Sequence, residues 1–185
     1  IAGKKVEAMA AFSWLLNNQS SDGSWYSEYK FSEPVTQRRE TNFSAYLATG
    51  LWHFYLIYKD KDFLEKMLPT LIASVDFVIS MQTAKGDIFW AAEEEKEILD
   101  DSLITGSSSI YKSLECAYAI YKLFNLSAEH IFESMQALKD SINNHPTRYD
   151  RTWESKSRYS MDWYYPVLCG VFDEEKSLSQ IESKW

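Results

Sequence analysis

The densest run of chemistry in this sequence is Asp162-Trp163-Tyr164-Tyr165-Pro166, an acid set beside rings. Trp and Tyr faces stabilise a cation or stack on a sugar, and an adjacent carboxyl can exchange a proton with what they hold. The same run also suits a plainer role, in which Asp162 caps a helix starting near Pro166 and the rings fill a core. Further acids stand at Glu40, Asp87, Asp100, Asp101 and Glu93 to Glu95. Glycosidases work with two carboxylates flanking a bond, although loop acids are often merely solvated. Glu40 and Asn42 precede a strong apolar stripe, as capping residues do. Ser107, Ser108 and Ser109 suit a helix start, where free amides also bind anions. Arg148, Arg151 and Arg158 cluster closely enough to clamp a carboxylate or phosphate, or to pair with the acids of this chain. His53 falls within an apolar stretch and reads as a core histidine.

Helices must position these groups. Gly (6) and Pro (4) are scarce, and apolar residues recur at helical spacing. Val6, Met9, Phe12 and Leu16 form one stripe; Phe43, Leu47, Leu51, Phe54 and Tyr58 form the next. Leu64, Leu68, Leu71, Val75 and Val78 follow, with Asp62 and Glu65 resembling a capping box and Pro69 inside the segment. Ile110, Leu114, Ala117, Tyr121 and Phe124 start behind Ser107 or Ser108. Ile131, Met135, Leu138 and Ile142 start behind Ser127. A helix from Met161 or Pro166 to Phe172 and a short one from Glu174 to Ser183 end the chain. The long connections run over 20–39, 83–106 and 143–159, with a short helix expected from Ala91 to Leu99. The rhythm of helix, short turn, helix, long loop repeats at roughly 50 to 65 residues, as in stacked or ring-closed helical pairs. Function concentrates on long loops held by such a scaffold.

The bulk numbers narrow the partners. Seven Trp, twelve Tyr and ten Phe make the chain 16% aromatic, enough for a thick core or a ring-lined cavity. A formal net charge of -8 argues against nucleic acid and anionic membranes. No run of about 20 apolar residues offers a transmembrane segment. Cys116 and Cys169 lie in apolar stretches and read as buried thiols, which with the lack of a signal peptide leads to an expected cytoplasmic location. No cofactor or metal signature is visible.

Gln19-Ser20-Ser21-Asp22-Gly23-Ser24-Trp25 resembles the QxxDGSW repeat of squalene and hopene cyclases. Gln82 to Trp90 resembles a second copy with stretched spacing. Glu40-Thr41-Asn42 through Gly50-Leu51-Trp52-His53, Gly86 to Ala91, Thr105 to Ile110 and Ser160 to Pro166 resemble bacterial prenyltransferase-like and squalene-cyclase-like proteins. The resemblance implies an all-α fold of antiparallel hairpins, part or all of an α/α-toroid. It also implies a single domain over 1–185 that is incomplete at its C-terminal end, with about three and a half hairpins of the five or six in a ring. An isoprenoid in an aromatic-lined cavity is the substrate it suggests. Two departures stand beside it. Asp100-Asp101 lacks the first acid of the cyclase DxDD segment, and the His and Cys residues show no zinc spacing. The alternatives are a carbohydrate-active glycosidase-like or epimerase-like toroid and a non-catalytic scaffold. On either enzymatic reading the candidate catalytic groups are Asp162, Glu40 and Asp101. The candidate substrate contacts are Asn42, Trp90, Ser108, Tyr111, Arg158, Trp163 and Tyr164.

Overall fold

A computed structural model describes residues 3–93, 98–152 and 159–184. The helices are α1 (Lys5–Asn17), α2 (Thr41–Tyr58), α3 (Lys61–Ser80), α4 (Ile104–Leu123), α5 (Glu129–Asn144), α6 (Ser160–Leu168) and α7 (Glu174–Lys184). Among the described residues, strands occur only as short antiparallel pairings in the connections. β1 (Tyr29–Lys30) pairs with β2 (Glu33–Pro34), and β3 (Arg39–Glu40), β4 (Ala91–Ala92) and β5 (Ile98–Leu99) form a small sheet.

The fold is an α/α-toroid arrangement of hairpins. α2 and α3 are joined by Lys59 and Asp60, and α4 and α5 by 124–128. α2 packs along α3 and α4, and α4 along α5 and α6. Leu51, Phe54, Leu64, Met67, Leu71, Leu114, Ile131 and Leu138 are buried between them, each stabilising the fold by about 1.5–3 kcal/mol. Among the described residues no helix is long and apolar enough to cross a membrane.

Several helix starts differ from their sequence signals. The cap of α3 is Asp60, whose carboxylate accepts from Phe63 N at 3.0 Å, because Lys61 and Asp62 are already helical. α4 begins at Ile104 with Leu103 in the cap position, so the serines belong to its first turns. α5 begins at Glu129 with Ala128, not Ser127, before it. α6 begins at Ser160 and runs through Pro166, which leaves Asp162 in the first turn. The stretch from Ala91 to Leu99 forms β4 and β5 where it is described, since buried Ala91 and Ala92 pair with Glu40 and Arg39. Val6 and Phe43, although in apolar stripes, are exposed.

The long connections meet at one rim and are sewn together by backbone bonds. Thr41 donates from N to Trp90 O at 2.9 Å and from Oγ1 to Phe89 O at 2.7 Å. Trp90 N donates to Asp101 O at 3.0 Å, and Asp150 N to Ser102 O at 2.8 Å.

A repeated turn sets the connections on their helices. Gln19 Nε2 donates to Gly23 O at 2.9 Å and to Thr70 O on α3 at 2.9 Å. Gln82 Nε2 donates to Gly86 O at 2.9 Å and to Ser134 O on α5 at 3.0 Å. The second copy therefore keeps the Gln-to-Gly spacing of the first, with Lys85, Asp87 and buried Ile88 in the places of Asp22, Ser24 and Trp25. Trp25 ties the first copy to the helix before it, its Nε1 donating to Leu15 O in the last turn of α1 at 2.8 Å. Gln82→Leu keeps the bulk but strips two carbonyls of a partner. It is expected to lower unfolding free energy by about 2 kcal/mol, read as a lower urea midpoint at unchanged slope.

Candidate active site at the α2 and α4 rim

Where α2 and α4 start side by side, the rim opens into a cavity of about 200 Å³. Gly106 of α4 faces Asn42 of α2 there: a Cβ on Gly106 would stand 4.0 Å from Asn42 Cβ, in ordinary van der Waals contact. Glu40, Asn42, Thr105, Gly106 and Ser107 form its polar side, with Ile88, Trp90, Leu103 and Ile110 as apolar wall. A neighbouring recess of about 300 Å³ shares Trp90 and adds Leu99, Asp100, Asp101 and Thr152. Trp90 thus stands between the two. Arg38 places its guanidinium carbon 5.5 Å from the centroid of this ring and its Nε 3.3 Å from Glu40 Oε1. Glu40 makes no side-chain cap to α2, so its carboxylate is directed to Arg38 and the cavity rather than to the helix. Ser107 is buried, and its hydroxyl has no hydrogen-bond partner among the described residues.

Among the described residues the structure brings Glu40, Asn42 and Trp90 to this cavity, and the other expected site residues do not line it. Asp101 is buried and its carboxylate is fully engaged. Oδ1 accepts from Ser102 N at 2.7 Å and Arg151 N at 3.0 Å, and Oδ2 from Thr152 N at 2.8 Å and Thr152 Oγ1 at 2.6 Å. Burial pushes this carboxyl up, but the bonds from Thr152, Arg151 and Ser102 outweigh it and hold it below the usual carboxylate range. Asp101 therefore clamps the second connection to the third. Ser108 turns its hydroxyl back on Ile104 O at 2.7 Å inside α4. Tyr111 is buried, with the Lys139 ammonium of α5 5.7 Å from its ring centroid. Asp162, Trp163 and Tyr164 stand on α6, the two rings edge to face at 5.8 Å. Arg158 lies outside the described residues.

The other clusters serve the scaffold. Arg148 grips Asp87 with Nε at 3.0 Å and Nη2 at 3.1 Å, and Arg151 pairs with Asp100 at 3.1 Å. His53 is exposed on α2 rather than in the core. It lines a groove of about 470 Å³ with Lys112 and Glu115, which pair with each other. Cys116 and Cys169 are free and buried; burial raises the first thiol and lifts the second to about 11, so neither is a ready nucleophile at neutral pH. Among the described residues no group of three or more His, Cys, Asp or Glu is arranged to hold a metal ion.

No family model matches the chain. Over all 185 residues it is 36% identical to the MMP endo-(1,4)-3-O-methyl-α-D-mannosidase of Mycolicibacterium hassiacum. It is similar to a sugar-cleaving enzyme. The chain spans 50% of that relative's length. In three dimensions it is similar to the rhamnosidase from Klebsiella oxytoca with rhamnose bound, with a TM-score of 0.71 and 13% identity over 97% of this chain and 37% of the other. The prenyltransferase-like and squalene-cyclase-like identification is thereby corrected, since the relative and the structural neighbour both carry sugar chemistry in their names. The physical reason is in the turn itself. The Gln, Gly and Trp of the repeat bond helix carbonyls and pack against backbone, so they report the toroid and not its reaction.

Leu103, Thr105, Gly106, Ile88 and Ile110 complete the cavity without standing among the expected site residues, and Ser107 joins them from the serine run read as a helix start. One signal pointed to Ser107. Ser107 stands one turn ahead of Ile110 on the buried helical face that continues through Leu114 and Ala117, so a helix starting before the serines turns Ser107 inward.

Proposed function

We propose that this chain forms part of a carbohydrate-active toroid that cleaves a glycosidic bond, with a mannoside-type sugar held at the α2 and α4 rim. The observation that carries the reading is the convergence of Glu40, Asn42 and Trp90 on one cavity. A pyranose stacks on the indole face, and Arg38 braces that ring. The 36% identity to an endo-mannosidase along the whole chain supports the sugar over an isoprenoid.

Glycoside cleavage needs one carboxyl to protonate the leaving oxygen and a second to attack or to activate water. Glu40 is the carboxylate of the cavity and the proposed member of that pair on this chain. The test is cleavage of an α-1,4-linked oligosaccharide of 3-O-methylmannose, followed by product chromatography. Glu40→Gln is expected to lower kcat by about 10²-fold or more. Full activity in that variant removes Glu40 from the mechanism. A wild-type protein inert on mannosides and rhamnosides alike removes the glycosidase reading.

A further inference from the structure

The α4 start has an unusual construction. Its N-cap is Leu103, whose side chain has no polar atom to offer, and no capping bond is made. The first bond of the helix runs from Ser107 N to Leu103 O at 2.8 Å. The amides of Thr105 and Gly106 precede it and have no partner within the helix. Both residues line the rim cavity. Ser107 lines it too, and at 1% exposure its hydroxyl is buried without a hydrogen-bond partner among the described residues. A buried hydroxyl in that condition costs stability unless something else bonds it. Its neighbour Ser108, one position on, satisfies itself on Ile104 O at 2.7 Å. Ser109 likewise donates to Gly106 O at 2.8 Å, so within this run of three only the serine that lines the cavity lacks a partner, a condition that Ser44 and Ser134 share elsewhere.

We infer that the α4 N-terminus and the Ser107 hydroxyl form a subsite that reads one hydroxyl oxygen of a neutral pyranose. This rests on the sugar reading above and deepens it. The cavity is two-sided in its hydrogen bonding. The α4 side presents donors: the amides of Thr105 and Gly106 and the hydroxyl of Ser107. On the α2 side, Glu40 is an acceptor and the Asn42 carboxamide offers both an acceptor oxygen and N–H donors. A vicinal diol matches that pattern, one oxygen accepting from α4 while its neighbour donates to Glu40. A positive helix terminus alone would favour an anion. Glu40 in the same cavity opposes one, because two carboxylates at such range repel strongly where water is scarce. At about 200 Å³ the space suits one monosaccharide unit rather than an extended ligand.

The test measures binding of methyl α-D-mannopyranoside to the full chain by calorimetry, alongside its singly deoxygenated derivatives. Ser107→Ala is expected to weaken the parent sugar by about 3- to 10-fold. Wild type should lose a similar factor for one deoxy derivative, and Ser107→Ala should no longer distinguish that derivative from the parent. Gly106→Ala adds a methyl group beside Asn42 without a clash, the nearest atoms being 3.8 to 4.0 Å away. It is expected to fold with an unchanged or higher Tm and yet to bind the sugar more weakly. The inference is overturned if both variants bind every sugar as wild type does, or if the corresponding uronic acid binds more tightly than the neutral sugar. If Glu40→Gln abolishes cleavage while Ser107→Ala changes nothing, the glycosidase reading stands and only this subsite falls. If no pyranoside binds, both fall.

Discussion

Gly23→Ala and Gly86→Ala, made separately, are each expected to cost about 3–5 kcal/mol of unfolding free energy, a large part of what a domain of this size holds. Both glycines sit at positive φ, 90° and 87°, where a side chain strains the backbone; that alone costs about 1–3 kcal/mol. The larger share comes from what they touch. A Cβ on Gly23 would lie 2.0 Å from Ala73 O, and one on Gly86 2.3 Å from Ala137 O. These are main-chain oxygens of α3 and α5, which cannot swing aside as a side-chain tip does. The turn would have to lift off, and with it the bonds from Gln19 or Gln82 to the same helices. Gly170 separates the two contributions. It has φ 74° but nothing within 4 Å of where a Cβ would stand, so Gly170→Ala should cost only the backbone share. Equal urea midpoints for Gly86→Ala and Gly170→Ala would refute the close-approach argument.

How much of this was legible in the sequence follows from where the information is stored. The hairpins are written locally: the stripes through Leu47, Leu51 and Phe54, and through Leu64, Leu71 and Val78, are buried as their spacing requires. The Gln-to-Gly turn is legible for the same reason, since both bonding partners of its first arm lie within four residues. Its second arm was not, because Thr70 and Ser134 are 51 and 52 residues away. The cavity combines both situations. Glu40, Asn42 and Trp90 carry their chemistry in their side-chain types and are expected site residues on that basis. Gly106 and Thr105 become site residues only because α4 starts at Ile104 and docks on α2, and the same start singles out Ser107 from the serine run. Asp101 shows the converse: an acid in a long loop reads as reactive until the amides of 151 and 152, contributed by another connection, close around it.

Arg148→Met should be the most damaging single change among the ion pairs, costing about 3–4 kcal/mol at pH 7. Asp87 is fully buried, and Arg148 holds both of its oxygens, at 3.0 and 3.1 Å. Thr83 and Ser102 complete the shell, Ser102 at 2.8 Å. Burial alone drives this carboxyl upward; the bonds from Arg148, Thr83 and Ser102 reverse that and hold it below the usual carboxylate range. Folding thus gains from a charged Asp87 at every pH above the unfolded value of about 3.9, and loses that gain as pH falls through the lower folded value. Methionine keeps the apolar stem of Arg148 and removes the charge, so burial is no longer opposed by it. The variant's Asp87 then takes up a proton at a higher pH than in wild type. The stability gap between the two proteins should narrow as pH is lowered from 7 toward 4.5, since protonation relieves the variant first. Adding Asp87→Asn to the variant should recover much of the loss at pH 7, because a neutral amide no longer needs the guanidinium. A gap that stays constant across that pH range would mean the cost comes from lost packing of the arginine stem, and the Asp87 charge would then have no part in joining the second and third connections.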